Sequence, residues 1–160
     1  MLFRSIVIDV HSKAEHDRDY LLQPEDIRAW EKRHGRMPKD GIVLMYTGWG
    51  RYWGDRKRYF GTDEPGNVTD LHFPGFSKKA AEFLIKQRNV TAVGIDTPSI
   101  DHGPSKDFMA HQVFCGANVP IFENVASVDR LPPKGATIFA LPMKIKGGSG
   151  APLRIFALVP

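Results

Sequence analysis

Apolar residues along this chain fall into short blocks separated by polar turns, and the spacing within the blocks alternates between that of strands and that of helices. Leu2 to Val10, broken only by Arg4, Ser5 and Asp9, predicts a strand. Ile42 to Thr47 and Val90 to Ile95 are nearly continuous apolar runs, as expected of strands covered on both faces. Val119 to Glu123, Ala136 to Leu141 and Leu153 to Leu158 predict three more strands. Three segments carry helical spacing. Pro24 and Glu25 open the first, with Ile27 and Trp30 on one face and Gly35 as its stop. Ser77 caps the second, Lys78 to Gln87, whose Ala81, Leu84 and Ile85 face inward. Ser105 caps the third, Lys106 to Cys115, with Asp107 complementing the dipole of its first turn and Gly116 ending it. His11 to Tyr20 reads as a charged turn, and Arg51 to Arg58 as a solvated loop. No repeat, linker or low-complexity tract divides the chain, so residues 1–160 are expected to form one α/β domain of about six strands and about three helices.

Most of the useful chemistry is concentrated between Gly94 and Glu123. A strand empties into a loop carrying Asp96, Ser99, Asp101 and His102, stiffened by Pro98 and Pro104. On the following helix Phe108, His111, Phe114 and Cys115 lie three or four apart, which places His111 on the apolar face. The next strand delivers Glu123 at its end. A histidine facing inward from a helix and a carboxylate at a strand end make a natural pair of donors for a divalent ion such as zinc or manganese. The competing interpretation is a core histidine satisfied by a backbone carbonyl. Upstream, Trp49, Tyr52, Trp53, Tyr59 and Phe60 sit among glycines after the Ile42 strand. They could line a pocket for a flat aromatic molecule, or form a satellite cluster beneath a long loop. His72 and Phe73 follow in the segment LHFPG.

Composition narrows the classes. The 160 residues are 42% hydrophobic and 25% charged, an ordinary globular balance that supports a core without staples. A single cysteine, Cys115, excludes an intrachain disulfide and any multi-cysteine zinc motif. The formal charge of +4 is spread among acidic residues, and no RNA-binding signature accompanies the RYWGDRKR cluster, so no nucleic-acid partner is expected. No apolar run approaches the ~20 residues that cross a bilayer. Met1 to Asp9 also lacks the features of a signal peptide, so a cytoplasmic chain with no membrane partner is expected.

The segments IDTPSID, SKDFMAHQVFCGANVPIFENV, LPPKG and LPMKIKGGSGAPLRIFA closely resemble the cyclase family, metal-dependent hydrolases that include kynurenine formamidases and isatin hydrolases. The resemblance continues upstream through IVIDV, DIRAWEKRHGRMPKDGIVLMYTGW and LHFPGFSKKAAEFL. It implies the family's swivelling β/β/α-like fold, without its N-terminal part. It also implies that His111 and Glu123 are metal ligands, that Asp96, Ser99 and Asp101 shape the substrate loop or orient the ligands, and that Trp49, Trp53 and Phe73 face the substrate. The family's H-x-G-T-H-x-D-x-P-x-H segment does not occur in this sequence. The chain thus resembles the later two-thirds of a family subunit, and His102 is the available substitute for that segment's proton-carrying histidine. The activity implied is opening of an amide, formamide or lactam carbonyl, with N-formylkynurenine the first substrate to try. The metal site would be incomplete and the chain nearly inactive by itself. Homo-oligomers are the implied assembly, and a catalytically silent interaction subunit is the alternative.

Overall fold

The computed structural model describes residues 2–160. In chain order the elements are β1 (Leu2–Asp9), α1 (His11–His16), β2 (Leu21–Leu22), α2 (Pro24–His34), β3 (Ile42–Tyr46), α3 (Arg56–Phe60), β4 (Gly75–Phe76), α4 (Lys78–Phe83), β5 (Ala92–Ile95), α5 (Met109–Gly116), β6 (Ile121–Phe122), β7 (Lys134–Pro142) and β8 (Leu153–Leu158). Six strands form one mixed sheet in the order β6-β5-β3-β1-β7-β8, while β2 and β4 make a separate parallel pair. From β1 the chain steps by parallel pairing to β3, β5 and β6, and β7 and β8 add antiparallel on the other side.

Parallel neighbours need crossovers, here α2, α4 and α5, and right-handed crossovers taken in one direction put all three helices on one face. Their Ile27, Trp30, Ala80, Leu84 and Phe114 join Ile6, Ile8, Val43 and Ile95 in one apolar cluster. Side chains alternate along a strand, so Val7, Ile42, Leu44 and Ala92 point to the opposite face. There they meet Phe122, Val125, Val128, Ile138 and Ala140. This two-sided burial is why β3 reads as an unbroken apolar run; Ile42 to Met45 are all buried. Because β1, β3, β5 and β6 run the same way, their carboxyl ends share one edge of the sheet. Asp9, Thr47, Asp96 and Glu123 lie at or just beyond those ends, where open α/β sheets usually bind ligands. No helix among the described residues is long and apolar enough to cross a membrane.

The structure departs from the sequence reading in identifiable places. Among the described residues there are five α-helices where spacing predicts about three. The additional two, α1 and α3, have six and five residues, too few for a period to show. They occupy the stretches that read as a charged turn and a solvated loop. The Lys78–Gln87 helix is α4 continued by a π-helical turn, Leu84–Arg88, and it keeps the expected buried face of Ala81 and Leu84. The larger correction concerns α5, which starts at Met109 and not at Lys106, because Phe108 adopts a left-handed conformation with φ 49°. Ser105 Oγ still accepts from the Phe108 N–H, but the cap of the helix proper is a more distant residue. Phe108 and Cys115 are consequently exposed, and Ala110 and Phe114 form the buried face.

Candidate metal centre

The first N–H groups of α5 have no partner within the helix. Asp101, only 3% exposed, supplies one from the preceding loop. Its Oδ1 accepts from Ala110 N–H at 2.7 Å, and its Oδ2 accepts from His111 N–H at 3.2 Å. The same Oδ2 stands 2.7 Å from His111 Nδ1. A carboxylate only accepts, so this network puts a proton on Nδ1, and in the neutral imidazole the lone pair is then on Nε2. Across a gap of 3.4 Å, Nε2 faces Glu123 Oε1, an oxygen held by the Ile100 N–H at 2.9 Å. Two acceptors face one another there, so the space suits a cation. Donors bound tetrahedrally to zinc at about 2.0–2.2 Å stand roughly 3.3–3.6 Å apart, so His111 and Glu123 fit such an ion as they are placed. A carboxylate behind the other imidazole nitrogen is the usual support of a metal-bound histidine. Among the described residues, no three or more His, Cys, Asp or Glu side chains are placed so that all could hold one metal ion.

The loop that carries Asp101 is pinned from below. Ile100 O accepts from Phe76 N–H at 2.8 Å, and Phe73 O accepts from Gly103 N–H at 2.9 Å. A Cβ on Gly75 would lie 2.3 Å from His102 N and 2.5 Å from Asp101 C, so the LHFPG glycine is required for the loop to lie on β4.

Asp96 occupies a neighbouring position with a different task. Its Oδ1 accepts from the Thr47 N–H and hydroxyl at 3.0 and 2.6 Å, and its Oδ2 from Trp49 N–H at 3.0 Å. It ties the turn after β3 to the end of β5. Burial pushes its carboxyl above the ordinary range, against the opposing hydrogen bonds from Thr47. Beside it opens a cavity of about 530 Å³ walled by Tyr46, Arg51, Trp53, Tyr59, Asn124 and the 125–130 segment. The aromatic residues divide between packing and the cavity wall. Trp49 and Phe73 are buried with Tyr59 in a small cluster of their own, whereas Trp53 is 68% exposed and faces the cavity. Trp49 and Phe73 therefore pack with Tyr59 and do not line that cavity. Ser99 is half-buried, and its carbonyl accepts from Thr97 Oγ1. His102 is also half-buried, and its imidazole makes no hydrogen bond among the described residues. His72 pairs with Asp19, Nδ1 to Oδ2 at 2.6 Å.

The structure thus gathers Asp101, His111 and Glu123, sets Asp96 and Trp53 around the adjacent cavity, and uses Trp49 and Phe73 as packing. Two polar residues at this edge carry no motif signal of their own, Tyr59 and Asn124. The Tyr59 hydroxyl donates to Asn124 Oδ1 at 2.7 Å. Burial, with the Asp96 and Glu123 charges adding to it, holds the Tyr59 phenol far above its usual range, so it remains a neutral donor.

The sequence profile of a family described as "Putative cyclase" matches residues 1–102, and the chain belongs to the cyclase family. Among its relatives is an isatin hydrolase of Roseibium aggregatum, 35% identical over 158 residues, covering 96% of this chain and 58% of that protein. A kynurenine formamidase of Salinibacter ruber is 37% identical over 65 residues, which is 41% of this chain and 30% of that one. The solved structure of isatin hydrolase A from Ralstonia solanacearum superposes with a TM-score of 0.92 at 38% identity, over 99% of this chain and 60% of that chain. The chain therefore spans about three-fifths of the length of its isatin hydrolase relatives.

Proposed function

We propose that this chain carries part of the site of a metal-dependent hydrolase that opens an aryl amide C–N bond, with His111 and Glu123 holding a divalent ion, zinc or manganese. The observation that carries this reading is the Asp101–His111–Glu123 arrangement, in which a buried carboxylate aims a free imidazole nitrogen at a second carboxylate 3.4 Å away. When bound, the ion supplies a Lewis acid for the carbonyl oxygen and a water of lowered pKa. The chain's own residues do the rest. Asp101 fixes the tautomer of His111, and the Ile100 N–H fixes one oxygen of Glu123. The cavity beside Asp96 receives the aryl group, with Trp53 as one wall and Tyr59 and Asn124 at its polar end. His102, next in sequence to Asp101 and uncommitted, is the imidazole available to move a proton.

A cyclic lactam such as isatin is the first substrate to test, because the isatin hydrolase similarity runs through 96% of the chain. N-formylkynurenine is the second, on the shorter similarity to kynurenine formamidases. Catalytic zinc ordinarily takes three protein ligands, so the 160-residue chain with two should turn over little by itself. The test measures isatin and N-formylkynurenine hydrolysis with added manganese or zinc. It compares this chain, a fusion to the upstream part of the Roseibium relative, and that fusion carrying His111→Ala. Metal-dependent turnover by the fusion, lost in the variant, is expected. A folded, metal-loaded fusion inert toward both substrates would favour the silent interaction subunit. Strong turnover by the short chain would show the site to be self-sufficient.

A further inference from the structure

Glu123 is about 30% exposed along its side chain, so burial does not decide where its carboxylate points. The Ile100 N–H holds one of its oxygens, and the backbone that bears the side chain sets where it starts from. The next residue, Asn124, is left-handed with φ 55°, a conformation that asparagine tolerates better than most residues. Three bonds hold it there. Asn124 N–H donates to Thr97 O at 2.9 Å, Val125 N–H donates to Ile95 O at 3.0 Å, and the Asn124 side chain accepts from the Tyr59 hydroxyl at 2.7 Å. The first two are main-chain bonds to the end of β5. The third comes from sixty-five residues away in sequence and is the one made by a replaceable side-chain group.

Tyr59 is itself fixed from both ends. Its carbonyl accepts from Trp49 Nε1 at 2.8 Å, Trp49 N–H is held by Asp96, and the ring is only 2% exposed against Trp53 and Phe60. We propose that Tyr59 is a positioning residue for Glu123, acting through the left-handed turn at Asn124. In this arrangement the Trp49–Tyr59–Phe73 cluster is the rigid base from which the carboxylate is aimed at His111. The cluster's hydroxyl reaches Asn124, the residue that follows Glu123.

The geometry offers a reporter that needs no metal. Ile100 N–H donates to Glu123 Oε1 at 2.9 Å, so the Ile100 amide signal follows the position of that oxygen. The experiment records ¹⁵N correlation spectra and manganese binding for the wild-type chain, Tyr59→Phe, Asn124→Gly and Glu123→Ala. Tyr59→Phe removes only the hydroxyl, and Asn124→Gly removes the acceptor while permitting positive φ. In both, the Ile100 amide should move toward its Glu123→Ala position, and its exchange protection should fall by roughly 5- to 10-fold, as for a lost hydrogen bond of ordinary strength. The manganese Kd should rise by roughly 10-fold or more, the usual effect of losing support behind a ligand. An Ile100 amide unmoved in both folded variants, even with a lowered Tm, would overturn the inference, because a merely structural Tyr59 gives that result. The manganese arm rests on the functional reading above and is separable from it. If Glu123→Ala leaves manganese binding untouched while Ile100 responds to Tyr59→Phe, the metal reading fails and the positioning role stands.

Discussion

Replacing Asp101 by asparagine is the substitution whose consequences the structure determines most fully. The side chain keeps its shape, yet one acceptor becomes an NH₂ group. If Oδ1 continues to accept from Ala110 N–H, the new donor faces both His111 N–H and His111 Nδ1. The imidazole can answer only by moving its proton to Nε2, which then points at Glu123 and has no lone pair for a metal. The His111 main-chain N–H loses its acceptor, worth about 1–3 kcal/mol when buried, and the helix N-terminus loses a favourable charge worth roughly 0.3–1 kcal/mol. The total, about 1–4 kcal/mol, is inside the 5–15 kcal/mol typical of a folded domain, so the variant should fold. At roughly 2–4 °C per kcal/mol for this size, Tm should drop by about 3–16 °C. Metal affinity should fall by at least 10- to 100-fold. Calorimetric titration with manganese and a thermal melt measure both quantities. An Asp101→Asn chain with wild-type manganese affinity and an unchanged Tm would refute the tautomer argument.

Other expectations follow from the same geometry. Gly75→Ala places a methyl group against the backbone of Asp101 and His102, and should cost about 3 kcal/mol or more, read as a lowered urea midpoint. Trp53→Phe should abolish the tryptophan quenching produced by an aryl lactam and leave Tm nearly unchanged, whereas Trp49→Phe should lower Tm, because only Trp53 faces the cavity. Asp96 has a raised carboxyl pKa in the folded chain, so the folded state takes up its proton at higher pH than the unfolded state. Its ionisation therefore costs stability at neutral pH, and the cost is relieved as pH falls through the folded value toward the unfolded one. Subtracting the urea-derived stability of Asp96→Asn from that of wild type at pH 7 and near pH 5 should give a difference that favours wild type more at the lower pH.

Where residues repeat with a period or form a motif, the sequence was enough to locate them. The alternation and long apolar runs of β1, β3 and β7 follow from which faces of the sheet are covered, and they appear directly in the residue order. His111 and Glu123 could be paired because a helix and a strand end were both legible, and the family resemblance supplied their role. What escaped was set by contacts distant in sequence. The start of α5 is decided by the Asp101 carboxylate and not by Ser105, since a buried acceptor satisfying two helix N–H groups outweighs a local hydroxyl. The division of the aromatic residues between packing and cavity depends on Trp49 Nε1 finding the Tyr59 carbonyl. Helices α1 and α3 are shorter than two turns and leave no pattern to read.

The central claim, that His111 and Glu123 share one cation, is tested most directly by metal content after equilibration with manganese or zinc and exhaustive dialysis. Wild-type chain should retain the metal above the level of His111→Ala and Glu123→Ala, with each single variant losing most of it and the double variant losing no more than either. Equal retention by wild type and both single variants would contradict the account, and would return His111 to the part of a half-buried histidine held by Asp101 alone.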